Sequence, residues 1–276
     1  MKADQITDAV KGFVTQAFLN EHHTKRLSMI NDKLRKTYGP DEISSEMFET
    51  FNAKDATVWI DPLDGTTDFV NGNLPACTVL IGLSLNDKSR VGIVHKPFSD
   101  EDQAFGKTVF GSGEHGTFFL PVDKAMTPEQ SVAREIKYTE PFDHDEIPAE
   151  DHAIKVGASL THFSQSLKDI IEKAAPVEII RLGGAGNKCM AIAVSMTESY
   201  MHPNPGLKYW DLCANESLIK GMGGYSTNLF GERLVYPPGG NPNIRGLILA
   251  KNPGTYNLIM KRLGDSWVSI LKNVKL

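Results

Sequence analysis

Short apolar segments separated by turn residues dominate the first half of the chain, and this pattern predicts β-strands. The segments are 57–60, 78–85 and 91–95, followed by weaker ones at 108–110 and 116–120. The polar residues Asn86 to Ser89 between the second and third segments predict a hairpin turn. We therefore expect an antiparallel sheet and an α+β arrangement in this half.

The flanks of this strand-rich region have other patterns. Residues 5–20 carry apolar side chains at helical spacing, whereas 39–55 are polar and acidic and predict a loop or a short helix. Residues 121–150 are rich in Pro, Asp and Glu with weak periodicity. We place a domain boundary near residue 150, which gives domains at 1–150 and 151–276.

The second half alternates between strand and helix patterns. Predicted strands lie at 153–159, 177–184, 198–202 and 245–250, and predicted helices lie at 164–174, 185–196, 210–222 and 254–272. Such alternation is typical of an α/β layer. The fold class is therefore α+β in the first domain and α/β in the second.

Composition narrows the classes of function. The 276 residues are 41% hydrophobic and 23% charged, an ordinary globular balance, and the net charge of −5 argues against a nucleic-acid partner. No apolar run approaches the roughly 20 residues that span a bilayer, so we expect no membrane partner. The odd number of cysteines (Cys77, Cys189 and Cys213) and the polar amino terminus lead us to expect free thiols and a cytoplasmic location.

The chemistry begins where the first predicted strand ends, in Asp61-Pro62-Leu63-Asp64-Gly65-Thr66. Two carboxylates this close repel each other unless a cation lies between them, and Mg²⁺ prefers oxygen ligands. Pro62 would turn the backbone so that the Leu63 carbonyl faces the same ion. The amides of Gly65 and Thr66 could then begin a helix and hold phosphate oxygens. The alternative is a solvated Asp-Pro turn with a helix cap.

Two motifs in the second half could complete such a site. Asp211 lies at the junction where a predicted helix begins; alone it is typical of a helix cap, but with the first motif it could be a third metal-binding carboxylate. Gly183, Gly184 and Gly186 lie between a strand and a helix, where a glycine-rich turn can approach a phosphate or a sugar. This turn matches neither the dinucleotide-binding glycine pattern nor the P-loop.

Together these motifs resemble the inositol monophosphatase-like superfamily of Mg²⁺-dependent, lithium-sensitive phosphatases. The resemblance lies in "DPLDGT" at 61–66 and "WDLCA" at 210–214 followed by Gly223-Gly224. "GGAGNK" and "KYWDLCA" are most similar to the 3′(2′),5′-bisphosphate nucleotidase branch, which converts 3′-phosphoadenosine 5′-phosphate (PAP) to AMP. "DGTTDFV" is also similar to inositol monophosphatases, and inositol polyphosphate 1-phosphatase is another near relative.

The resemblance implies a layered αβαβα sandwich, a site with two or three Mg²⁺ ions, inhibition by Li⁺, and a small phosphate ester as the substrate. It also implies roles for individual residues. The metal ligands would be Asp61, the Leu63 carbonyl, Asp64 and Asp211, and Thr66 with Asp4 would activate the attacking water. The substrate would be held by Gly65, Thr66, Thr161, His162, Gly184 and Lys188, although His162 alone is equally typical of a surface residue or a cap.

The chain departs from the family pattern before its first motif. Only sixty residues precede Asp61, so the first helices are expected to be missing or shortened, and the glutamate pair that supplies a further metal ligand in the family does not occur. Asp32 is the nearest match to that ligand, but Lys33 beside it would repel a cation; Glu21, Glu46 and Glu49 are other candidates. A fragmentary sequence, or a weak or inactive homologue that binds a nucleotide or a partner, is the alternative interpretation.

Overall fold

The computed structural model describes residues 52–98, 107–121, 134–136, 149, 151–161, 163–240 and 244–264. The helix predicted at 5–20 lies outside these residues, as does most of the segment at 39–55, which ends in a 3₁₀ turn at Ala53–Asp55. The domain boundary near residue 150 stays a prediction.

The first sheet is an antiparallel meander whose strands lie in chain order. Its strands are β1 (Ala56–Asp64), β2 (Thr78–Leu85), β3 (Lys88–Lys96), β4 (Lys107–Ser112), β5 (Gly116–Pro121) and β6 (Arg134–Ile136). The hairpin between β2 and β3 turns on Asn86 and Asp87 alone, both with positive φ. This two-residue turn is tighter than the predicted one, so β3 begins earlier than the sequence pattern indicates.

The second sheet is mixed, with the strand order β10-β11-β9-β7-β8. Its strands are β7 (Lys155–Ser159), β8 (Glu178–Leu182), β9 (Ser199–Pro205), β10 (Tyr225–Thr227) and β11 (Arg245–Ala250). Strand β7 pairs parallel to β8 and to β9, whereas β11 pairs antiparallel to β9 and β10. The predicted α/β alternation of the second half is thus confirmed, with two antiparallel strands at one side.

Five α-helices accompany the sheets in the described residues: α1 (Thr66–Val70), α2 (Gln165–Lys173), α3 (Ala185–Ala193), α4 (Tyr209–Gly221) and α5 (Pro253–Leu263). Three of them, α2, α3 and α4, match helices predicted in the second half to within a few residues. Helix α5 is the exception, because it ends at Leu263 instead of running to 272. The next residue, Gly264, has φ of 55°, a left-handed conformation that stops a helix.

Two apolar cores separate these elements into layers. In the first core, side chains of the antiparallel sheet pack with α3 and α4 against Tyr200, Leu247 and Leu249 of the mixed sheet. In the second, the other face of the mixed sheet packs against Leu167 of α2 and Leu258 of α5. The order sheet, helices, sheet, helices gives four of the five layers of the predicted αβαβα sandwich, as far as the described residues extend.

Two glycines let α4 lie directly on the antiparallel sheet. A Cβ on Gly82 of β2 would come 2.6 Å from the Ala214 amide nitrogen, and one on Gly92 of β3 would overlap the Ala214 carbonyl. This close packing carries the first turn of α4, with Asp211, toward the end of β1.

No helix in the described part of the chain has the length and apolar character needed to cross a membrane. The three cysteines are buried and unpaired.

Candidate metal centre and its cleft

Strand β1 continues through the first motif instead of ending at Ile60. Its pairing with β2 shifts between Asp61, opposite Leu80, and Asp64, opposite Thr78. Two residues of β1 therefore face one residue of β2, which is a β-bulge at Pro62, a residue with no N–H to donate. The Leu63 amide donates to Asp61 Oδ1 at 3.0 Å, which fixes the first carboxylate on the bulge.

Three carboxylates converge at this bulge. Oxygen atoms of Asp61, Asp64 and Asp211 all lie within 4.8 Å of one another. Asp61 and Asp64 come from the end of β1, and Asp211 comes from the first turn of α4. The structure thus brings together the three carboxylates that the sequence proposes as metal ligands.

Asp64 is the most firmly held of the three. Its Oδ1 accepts from the Ala185 amide at 2.9 Å, and its Oδ2 accepts from the Gly186 amide at 2.8 Å and the Thr78 hydroxyl at 2.7 Å. The two amides belong to the amino terminus of α3, where free N–H groups stabilise a negative charge. Asp64 therefore joins the first motif to the glycine turn.

Asp211 is the third residue of α4, where it completes a reciprocal cap. Its Oδ2 accepts from the Lys208 amide at 2.6 Å, and its own amide donates to the Lys208 carbonyl at 3.0 Å. The capping interpretation and the metal-ligand interpretation of Asp211 are thus compatible. The cap fixes the side chain, and the carboxylate still lies in the acidic cluster.

The cluster strongly disfavours three negative charges without a cation. Burial, followed by the charge of Asp64, raises the pKa of Asp61 from 3.8 to about 6. Burial also raises the pKa of Asp211 well above its usual range, and the charges of Asp64 and Asp61 add to the effect. A divalent cation would offset this repulsion, and a set of oxygen donors fits a hard ion such as Mg²⁺.

Thr66, the proposed water-activating residue, lies at the start of α1. Its hydroxyl donates to the Leu63 carbonyl at 3.0 Å, and its side chain is exposed. Gly65 before it has φ of 79°, which favours glycine at this turn. Because the hydroxyl proton of Thr66 is used by Leu63, its oxygen remains an acceptor toward a water molecule.

The three glycines of the second motif are required by packing within the protein itself. A Cβ on Gly183 would overlap the Asp68 carboxylate, and one on Gly186 would overlap the Thr78 hydroxyl. A Cβ on Gly184, where φ is 62°, would lie 2.5 Å from the Ala76 carbonyl oxygen. Packing within the protein thus accounts for the glycines of this turn, and their close approach to a ligand stays a prediction.

A cleft of about 410 Å³ adjoins the three carboxylates. It is lined by all but one of the residues proposed for the substrate: Gly65, Thr66, Thr161, Gly184 and Lys188. Thr161 is exposed at the rim. His162, Asp4 and Asp32 lie outside the described residues, so their proposed roles remain predictions.

Lys188 is a buried cation of the cleft wall. Its ammonium donates to the carbonyls of Gly184 at 2.7 Å and Leu182 at 3.2 Å, and lies 5.1 Å from the centre of the Tyr200 ring. Burial lowers the pKa of Lys188 to about 8, although the charges of Asp64, Asp68 and Asp211 oppose that shift. Two of its three N–H groups are used, so one is available to a ligand.

Several cleft residues were missed by the sequence interpretation. Tyr200, His202 and Asn204 line the cleft from β9, and their spacing of two along the strand is a signal that could have identified them. Asp68 is buried in α1, accepts from Asn73 Nδ2 at 2.7 Å, and lines the same cleft. The resemblance of "DGTTDFV" covers Asp68 but gave no reason to single it out.

Residues 16–263 match the model of the inositol monophosphatase family. The chain is 32% identical to mouse (Mus musculus) 3′(2′),5′-bisphosphate nucleotidase 1 over 193 residues, which cover 68% of this chain and 55% of that protein. It is 29% identical to zebrafish (Danio rerio) inositol monophosphatase 3 over 239 residues, which cover 84% of this chain and 58% of that protein. The chain thus spans about half the length of the curated relatives it matches.

The structural comparison identifies the same fold. The crystal structure of CysQ from Bacteroides thetaiotaomicron, described as a bacterial member of the inositol monophosphatase family, superposes with a TM-score of 0.57 at 20% identity. The match covers 72% of this chain and 71% of that chain. At this identity the likeness establishes the architecture alone.

Proposed function

The chain belongs to the inositol monophosphatase family, and we propose that it is a Mg²⁺-dependent phosphomonoesterase that removes the 3′(2′)-phosphate of PAP to give AMP. The observation that carries this proposal is the convergence of Asp61, Asp64 and Asp211 within 4.8 Å beside a cleft. Carboxylates gathered in this way suit a phosphoryl-transfer site, where cations offset the negative charge of the substrate.

The metal ligands in this proposal are the three carboxylates and the Leu63 carbonyl. Bound Mg²⁺ would supply charge neutralisation at the phosphate and a lowered pKa for the attacking water. The chain contributes the positions of the ligands: the bulge at Pro62 holds Asp61, the amides of α3 hold Asp64, and the cap of α4 holds Asp211. Asp32 is proposed as a further ligand.

The attacking water would be oriented by Thr66. Its hydroxyl donates to the Leu63 carbonyl, which leaves its oxygen as the acceptor for a proton of the water. In this proposal Asp4 is the partner that takes up a proton from the same water. The amides of Gly65 and Thr66, at the beginning of α1, would hold oxygens of the scissile phosphate.

A second negative group on the substrate would be met by Lys188. One N–H of its ammonium remains for a ligand, and its side chain is anchored from beneath the glycine turn. Thr161 and His162 are proposed to assist in holding the substrate. A bisphosphate nucleotide is favoured over a single phosphate ester because of this cation and because of the likeness to the mouse bisphosphate nucleotidase.

The second candidate substrate is an inositol phosphate. It is favoured by the likeness to zebrafish inositol monophosphatase 3, which extends over 239 residues. It is also favoured by the "DGTTDFV" segment, which is similar to that branch. Both candidates require the same metal centre and differ in the groups that hold the rest of the substrate.

One experiment separates them. Phosphate release is measured with PAP and with inositol 1-phosphate at equal concentrations, first with Mg²⁺ alone and then with added Li⁺. We expect PAP to be hydrolysed at least about tenfold faster and Li⁺ to inhibit. The reverse ranking would assign the chain to the inositol phosphate branch, and no Mg²⁺-dependent release from either ester would refute the phosphatase proposal.

A further inference from the structure

A second cavity lies on the far side of the glycine turn from the cleft. It has a volume of about 600 Å³, within the range of sites for small molecules, and is lined in part by Leu182, Gly183 and residues of α3. We name it the basic cavity, after its three cationic residues Lys96, Lys107 and Arg181.

Positive charge gathers in this cavity although the chain as a whole carries a net charge of −5. Lys96 ends β3, Lys107 begins β4, and Arg181 comes from β8, so three separate strands each supply one cation. Among the described residues that line it there is no Asp or Glu. A concave surface of this composition attracts anions.

The structure fixes two of these cations in place. Arg181 Nε donates to the Ser159 carbonyl at 3.4 Å, its NH2 group donates to the Leu160 carbonyl, and its guanidinium lies 4.4 Å from the centre of the Phe163 ring. Lys96 Nζ donates to Asn187 Oδ1 at 3.4 Å. Cations positioned before the ligand arrives lose less entropy when they bind it.

Apart from Asn73 and Asn187, the rest of the lining is apolar, and part of it is open to solvent. Val194 is 62% exposed and Met196 is 48% exposed, and Met190 lies beside them in the wall. Methionine side chains adapt to flat rings and make favourable contacts with aromatic groups. A lining that combines cations with methionines therefore fits a ligand with an anionic group and a flat apolar body.

We propose that the basic cavity is a second ligand site, which binds a nucleoside monophosphate with its phosphate toward Lys96, Lys107 and Arg181 and its base against Met190, Val194 and Met196. The site is separate from the metal centre, because the turn Leu182–Gly184 lies between them. This proposal does not depend on the phosphatase activity.

The test is a calorimetric titration with AMP in EDTA. Without a divalent cation the three carboxylates of the metal centre repel a phosphate, so binding in the cleft is suppressed. We expect wild-type protein to bind AMP more tightly than either inorganic phosphate or adenosine. We expect Lys96→Gln and Lys107→Gln each to weaken AMP binding about tenfold, since each removes a charge-assisted hydrogen bond.

The matched control is Lys88→Gln, an exposed lysine at the start of β3 that does not line the cavity; it should leave AMP affinity within about twofold. Circular dichroism confirms that each variant is folded. Absence of AMP binding to wild type, or binding that neither Lys96→Gln nor Lys107→Gln weakens, would overturn the proposal. Equal affinity for AMP and inorganic phosphate would overturn the assignment of a nucleoside.

Discussion

At the scale of single residues, the three carboxylates of the metal centre have unequal surroundings. Asp64 accepts three hydrogen bonds, two of them from the amino terminus of α3. Asp61 accepts one from the Leu63 amide and shares another with the Asp211 carboxyl group, and its pKa is raised to about 6. The fold is therefore built around a charged Asp64, whereas the charge of Asp61 costs free energy until a cation arrives.

Asp61→Asn should separate metal binding from folding. The change removes a buried charge that lacks compensation, so the free energy of unfolding in EDTA should stay the same or increase. Mg²⁺ affinity should fall about a hundredfold or more, since a charged ligand is lost. Urea unfolding and calorimetry measure the two quantities, and an Asp61→Asn variant with wild-type Mg²⁺ affinity would contradict the site.

Asp64→Asn should weaken both folding and metal binding. An asparagine amide has one acceptor oxygen, so its NH₂ group would face an N–H of α3 and leave it unsatisfied. We expect a loss of about 1–3 kcal/mol in the free energy of unfolding. Asp87→Asn, in the exposed β2–β3 turn, is the control that should be neutral in the same urea titration. If Asp64→Asn lowers the free energy of unfolding no more than Asp87→Asn does, the hydrogen bonds accepted by Asp64 do not stabilise the fold.

At the scale of elements, the first motif and the glycine turn interlock. The close approach of α3 to β2 depends on Gly186, where a Cβ would lie 2.6 Å from Leu80 Cδ2 and would overlap the Thr78 hydroxyl. Thr78 in turn donates to Asp64. The position of a proposed metal ligand on one element thus depends on the absence of a side chain on another.

Gly186→Ala should therefore lower stability by about 1–3 kcal/mol, because the added methyl group overpacks the α3–β2 contact. It should also weaken Mg²⁺ binding, because the Thr78–Asp64 hydrogen bond is disturbed. Gly113→Ala is the control, since Gly113 is exposed and the nearest neighbour of the added methyl group would be Lys220 Cβ at 3.3 Å, without the overlap found at Gly186. Thermal unfolding with and without Mg²⁺ measures both effects, and equal behaviour of the two variants would contradict the interlock.

The sequence predicts elements better than it predicts how they meet. Apolar alternation located β2 and most of the helices of the second half, and two carboxylates beside a proline identified one part of the metal centre. The sequence pattern could not reveal that β1 continues through a bulge at Pro62, because a proline usually ends a strand. The sequence also could not show why the turn at 183–186 needs glycine, because the atoms that exclude a side chain there belong to residues about a hundred positions earlier in the chain.

At the scale of the whole molecule, the metal centre links layers of the sandwich. Asp61 and Asp64 end a strand of the antiparallel sheet, whereas Asp211 belongs to α4 in the helical layer above it. A cation held by all three would therefore connect two layers, and its binding should be visible in global stability.

This link should depend on pH. The pKa of Asp61 is raised from 3.8 to about 6 without metal, so its protonated form favours the fold. That stability is present below about pH 4 and is lost as the pH rises through about 6, where the carboxylate becomes free for a cation. Mg²⁺ should therefore raise Tm more at about pH 7.5 than at about pH 5, as measured by calorimetry. An equal rise at both values would contradict the role of Asp61.

The central claim is that the three carboxylates form a catalytic metal centre. The most direct measurement is the initial rate of phosphate release from PAP as Mg²⁺ is added to metal-free protein, for wild type and Asp61→Asn side by side. The wild-type rate should rise from background and saturate, while the Asp61→Asn rate should remain at least about a hundredfold lower. Release that persists in EDTA, or that is equal in the two proteins, would contradict the claim.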